Sequence, residues 1–168
     1  MMLLRSIALW LHVISMVTWF GGLLFYVAVA APTVRAVESA AERLRAVREL
    51  DQRFRHVIWG SVEAAVVTGI ALLLVTMFEA GSSMGLSGGY MRVLAAKLFL
   101  AAVVIAMQLY NHIKINPRKR ALAEERIGAG PEPAEFTALQ SRTRQIYALE
   151  LVVAAAIVLL GVHLRSVL

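Results

Sequence analysis

Four apolar runs, each bracketed by charge, restrict this chain to one kind of fold. Arg5 and Arg35, Arg55 and Glu79, Arg92 and Lys114, and Arg144 and Arg165 mark their ends. Each interior holds at least the ~20 residues that a helix needs to cross about 30 Å of hydrocarbon. Backbone N–H and C=O groups find no water in lipid, so helix is the form each run must take. With 60% hydrophobic and 17% charged residues, the chain is too apolar for a soluble domain. The sequence predicts an all-α integral membrane protein, a four-transmembrane-helix bundle forming a single membrane domain over residues 1–168. Its helices fall at about 6–32, 55–79, 91–115 and 142–166. Ala28-Val29-Ala30 mimics a signal-peptidase site, but the uncharged stretch from Ser6 to Val34 far exceeds a usual signal core of about 7–15 residues, so the first run is read as a retained helix.

Basic residues set the expected orientation. Arg35, Arg43, Arg45, Arg48, Arg53 and Arg55 crowd the first long loop and its flanks, and Lys114, Arg118, Lys119, Arg120, Arg126, Arg142 and Arg144 the second, whereas Arg5, Arg92 and Arg165 flank the other ends. Positive charge favours the cytoplasmic side, which places both long loops there and both termini outside, in a bacterial-type inner (plasma) membrane. The net charge of +6 is accordingly a topology and lipid-headgroup signal and gives no reason to expect nucleic acid. In the first loop Val34, Val37, Ala41, Leu44, Val47 and Leu50 form a helical stripe opposite Arg and Glu, the pattern of a cytoplasmic amphipathic helix running into the second span. Glu49 with Arg53 and Asp51 with Arg55 are favourably spaced pairs along it. Pro117 and the segment Gly128 to Pro133 break the second loop into shorter pieces, and Gly81, Gly85, Gly88 and Gly89 loosen the connection before the third span.

Within the spans, the costly residues are the informative ones. Glu63, Lys97 and Glu150 each sit inside an apolar run, where a charge costs about 2.5 kcal/mol or more and must face the bundle, pair, or lie near an interface. Four histidines sort into two levels: His56 and His112 at the basic end, His12 and His163 toward the other. His12 is the deepest and shares a helix face with Ser15, Trp19, Gly22 and Tyr26, while Lys97, Ala101, Val104, Gln108 and Asn111 form a stripe on the third helix. Gly22 would admit either a macrocycle or another helix at close range. A short connection between the second and third spans favours their adjacency, which would bring His56 to His112. Glu63 and Glu150, similar in depth, would then share that polar level.

The run Leu11-His12 through Trp19-Phe20-Gly21-Gly22, then Thr68-Gly69, Gly89-Tyr90-Met91-Arg92 with Lys97-Leu98, Asn111, Pro117-Arg118 and Leu149-Glu150-Leu151, resembles the membrane domain of CopD-type copper resistance proteins over nearly the whole chain. The first-span histidine followed by Trp and Gly, with a lysine in the third span, is also similar to HemJ-type protoporphyrinogen oxidases. The first resemblance implies copper uptake or tolerance; the second implies haem, electron transfer to quinone, and Lys97 with Arg92 holding substrate propionates. Chemistry separates the two. Cu(I) selects sulfur or closely spaced His and Met, yet the chain has no Cys, and Met1, Met2, Met16, Met77, Met84, Met91 and Met107 form no tight cluster, although Met77, Met84 and Met91 suggest a loose entry site. Haem iron needs only one or two imidazoles in a bundle. The expected cofactor is therefore haem b, one or two, with His12, His56, His112 and His163 as candidate iron or copper ligands, His12 paired with His163, Met16 or Met91, and Trp19 and Gly22 beside it. Copper is the alternative. Candidate catalytic groups are Lys97, Arg92, Glu63 and Glu150, and the expected partners are the lipid bilayer, a quinone or redox protein, and further subunits or copies of the chain.

Overall fold

The computed structural model describes residues 2–80, 88–126 and 133–167, without the side chains of residues 2, 79–80, 126 and 164–167. Met84, Gly81 and Gly85, the Gly128 to Glu132 stretch and the Arg165 side chain fall outside what is described. All regular structure among the described residues is helical: α1 (Met2–Phe25), π1 (Tyr26–Ala30), α2 (Ala31–Arg35), α3 (Ala40–Ala80), α4 (Gly88–Tyr110), π2 (Asn111–Ile115), α5 (Asn116–Arg126) and α6 (Ala134–Val167). Four of the resulting rods are long and apolar enough to cross a membrane. Their outward side chains, among them Leu9, Val17, Val67, Phe78, Phe99, Val152 and Leu159, are apolar and exposed, as lipid contact requires. The protein is a multi-pass membrane protein.

The two π turns share a local cause. Pro32 stands six residues after Tyr26, and Pro117 six after Asn111. A proline offers no N–H to the carbonyl four residues back and clashes with it, and a widened turn just before it relieves the crowding without breaking the rod. From Ala40 onward the amphipathic segment and the second span form one unbroken helix, α3, while Val34 belongs to α2 and Val37 to the short link between them. Its predicted stripe is used as expected: Leu44 and Val47 are buried in a small core with Leu122, Ala123 and Phe136, beyond the apolar spans at the basic end.

Packing between the rods is uneven. The closest pair is α1 on α3, followed by α4 on α6, with α1 also touching α6. Gly22 serves the first contact: a Cβ there would come to 2.8 Å from Ile58 Cδ1, so of its two expected uses it is a helix that approaches. At the basic end α3 reaches α5, and Trp59 stacks on His112 at 5.7 Å. Along the spans, α3 and α4 are not among the packed pairs. They converge at the basic end and leave a fissure toward the other.

Candidate functional site

That fissure is a cavity of about 270 Å³. α1 supplies its back wall through His12, Met16 and Trp19; α3 contributes Ala65, Gly69 and Leu73; α4 contributes Leu94, Lys97 and Ala101. Ile70 and Leu98 line it too and are half exposed on the outer surface, so the cavity opens sideways toward lipid. Its walls are apolar except at three points, the His12 imidazole, the Lys97 ammonium and the Trp19 indole.

His12 is held from one side. Its Nδ1 lies 2.9 Å from the Ala65 carbonyl oxygen and 3.1 Å from Thr68 Oγ1. The Thr68 hydroxyl donates to the Ala64 carbonyl. A carbonyl only accepts, so Nδ1 must carry the proton of the neutral ring, and Nε2 keeps the lone pair. This is the arrangement by which proteins prepare an imidazole for a metal. Gly69 makes room for it, since a Cβ there would sit 3.1 Å from His12 Cε1. Met16, one turn along α1, adds a thioether to the same cavity. Lys97 interacts electrostatically with His12, and its Nζ lies 3.5 Å from the position a Cβ would take on Gly161 of α6. The Trp19 Nε1 is buried with no hydrogen-bond partner.

The basic half is built differently. Tyr26, Phe54 and Tyr147 form an aromatic cluster with centroids 4.8–5.9 Å apart. Gln108 Nε2 donates to Glu150 Oε2 at 2.7 Å, Tyr26 donates to Asp51 at 3.4 Å, and Lys119, almost fully buried, pairs with Asp51. Arg118 grips Glu135 with two bonds of 2.7 and 2.9 Å. Glu135 outside the spans is thereby held below the usual carboxylate range and Arg118 above its own.

The predicted residues separate accordingly. His12, Trp19 and Lys97 come together. Arg92 does not join them: exposed on α4, it donates to the Gly88 carbonyl at 3.1 Å. His163 and Met91 are exposed. At the other level the hoped-for pairing of His56 with His112 is replaced: His56 is exposed, and His112 meets Trp59 beside Arg55 and Arg120 in a shallow cavity. Glu63 faces outward while Glu150 is fully buried, so the two do not share a site. Asp51 turns to Lys119 and Tyr26, away from the helical pairing with Arg55 that its spacing suggested. Sequence reasoning missed the clamp on His12 and the Asp51–Lys119 pair. Thr68, three residues after an alanine on a small-residue face, carried the first signal; the second joins residues 68 apart in sequence and carried none.

Among the described residues no three His, Cys, Asp or Glu side chains converge as a conventional metal site would need. Residues 48–164, well over half the chain, match the family model described as Copper resistance protein D. No curated protein and no solved structure matches.

Proposed function

Since the chain belongs to the CopD family of copper resistance membrane proteins, we propose that it handles copper within a bacterial-type inner membrane, with the long basic loops in the cytoplasm, and that the fissure at His12 is where the ion is held in passage. The observation that carries this reading is the clamped imidazole. His12 and Met16 line one cavity, offering a nitrogen and a soft sulfur of the kind Cu(I) accepts. Two such ligands hold an ion loosely, as transit demands; a tight resident site would need more. Purified protein should bind one Cu(I) in competition with a chromophoric chelator, and both His12→Ala and Met16→Leu should abolish it. Wild-type protein that leaves the chelator's copper untouched would sink the reading.

A second reading has its own observation. Lys97 and Trp19 line the same cavity as His12, and an ammonium repels a copper ion while it suits a carboxylate. A b-type haem, if bound here, would be held by His12 at its iron and Lys97 at a propionate, and would supply one-electron redox chemistry. The volume falls just below the range of about 300–1,000 Å³ for ligand pockets, so the macrocycle would have to extend through the opening between α3 and α4. A Soret band in protein from haem-replete cells, lost in His12→Ala, is the outcome that favours haem, electron transfer and a quinone-type acceptor over copper.

A further inference from the structure

Glu150 is the one carboxylate wholly inside the bundle among the described residues, with no exposed surface, and neither function above uses it. One oxygen has Gln108; the other, Oε1, is buried without a partner. One rung toward the basic end, Asn111 Nδ2 is also buried and unpartnered, while its Oδ1 accepts from Thr143 Oγ1 at 3.5 Å. The Tyr147 ring meets Tyr26 edge to face at 4.8 Å, and Tyr26 donates to Asp51, which pairs with Lys119. Tyr147 and Glu150, three residues apart on α6, share a helix face, and Tyr147 interacts electrostatically with both Asp51 and Glu150. The groups facing this line come from every packed rod: Gln108 from α4, Asn111 from π2, Thr143, Tyr147 and Glu150 from α6, Tyr26 from π1 with Arg35 of α2 nearby, Asp51 from α3 and Lys119 from α5. Two of these residues, Tyr26 and Asn111, open the two π turns, the helical irregularity that recurs at functional positions.

We propose that Glu150 is a proton-binding site loaded from the basic end of the bundle along the line of Asp51, Tyr26 and Tyr147. An isolated carboxylate facing a single neutral donor in an apolar interior is expensive, and the group is relieved by taking a proton. Gln108 serves both states: its NH₂ donates to the carboxylate, and after an amide flip its C=O accepts from the carboxylic acid. Each tyrosine hydroxyl hands on its own proton as it receives another. The net event is transfer of one proton from the aqueous side to Glu150, with no bond other than O–H made or broken and no electron moved. The site stands whichever cargo the fissure carries. If that cargo is copper, Glu150 lies below Val104 and Ala101, which line the cavity, where a proton given up would offset a cation.

The test is infrared difference spectroscopy of the full chain in lipid vesicles. Wild type should show a protonated-carboxyl C=O stretch that shifts in D₂O and vanishes at alkaline pH; Glu150→Gln, which keeps the contact with Gln108, should lack it. Tyr147→Phe should retain the band but slow its H/D exchange by on the order of tenfold or more, the scale of a lost proton-transfer group. Copper binding on the same samples should be unchanged in Tyr147→Phe, so that failure of the copper reading and failure of this one are told apart. A wild type with no such band at neutral pH overturns the proposal without recourse to any variant, and a Tyr147→Phe protein exchanging at the wild-type rate overturns the route.

Discussion

Each half of the bundle holds an inward lysine, Lys119 buried and Lys97 partly buried, and the contrast between them separates packing from function. Lys119, at the basic end, is 2% exposed and meets Asp51 beneath the aromatic cluster, with the small core of Leu44, Leu122 and Phe136 alongside. Lys97 faces a cavity and has no anionic partner among the described residues. The first is a charge that the fold has neutralised; the second is a charge left available. An amine that faces a cavity inside a membrane bundle without an anionic partner is a functional-site candidate. The closely packed half therefore reads as the clamp that fixes helix positions, and the splayed half as the part in which the proposed ligand would be received.

The sharpest way to break this comparison is to remove both lysines the same way. Lys119→Met leaves Asp51 buried and unpaired, and removing one partner of such a pair costs about 3–5 kcal/mol. Lys97→Met places an apolar side chain in an apolar cavity and should change stability by less than about 1 kcal/mol. Thermal and denaturant unfolding in a mild detergent, followed by circular dichroism, measures both. Equal losses would show that the two lysines play one structural role and would remove the ground for treating the fissure as a site.

A smaller effect sharpens the same distinction within the fissure. Gly69→Ala brings a methyl to 3.1 Å from the His12 ring, tighter than ordinary contact, and the ring must shift off the Ala65 carbonyl. Disturbing the group that orients a metal-ligating imidazole lowers metal affinity about 10–100-fold, whereas folding should hardly respond, because the cavity offers room. Gly22→Ala is the control: there the added methyl meets Ile58 across the α1–α3 contact, and stability should fall while metal affinity holds. A Gly69→Ala protein with wild-type affinity for copper or haem would detach His12 from the ligand.

How much of this was legible in the sequence follows from the range of each signal. The spans, the long amphipathic approach in α3 and the inward stripe of Lys97, Ala101 and Val104 are periodic over many residues, so they were readable. His12 with Trp19 was readable because both lie on one helix face. The pairing of His56 with His112 was not, since it required knowing that α3 and α4 part along the spans and that Trp59 takes the place opposite His112. Glu63 and Glu150 are equal in depth and opposite in fate, because depth is set by count along the chain and facing is set by which rods pack. The Asp51–Lys119 pair depends on π2 and α5 continuing the α4 rod past the start of α3, a long-range meeting that local spacing does not encode.

The weakest effect belongs to the surface of the basic half. Arg118 and Glu135 are fully exposed, and their two-bonded contact joins α5 to α6 outside the spans. The Glu135 carboxyl is held below its usual range by that hydrogen bond. A depressed carboxylate contributes stability that is fully present above its unfolded pKa and is lost as pH falls through the lower folded value. The contribution is thus constant from neutrality down to the ordinary carboxylate range and fades only below it. Solvent screens so exposed a pair, so Glu135→Gln should lower the unfolding temperature far less than Lys119→Met, and the gap from wild type should shrink with added salt and close at strongly acid pH. A gap that instead persists at acid pH and high salt would mean that packing by the long side chains joins α5 to α6, and that the basic half is held together without its surface charges.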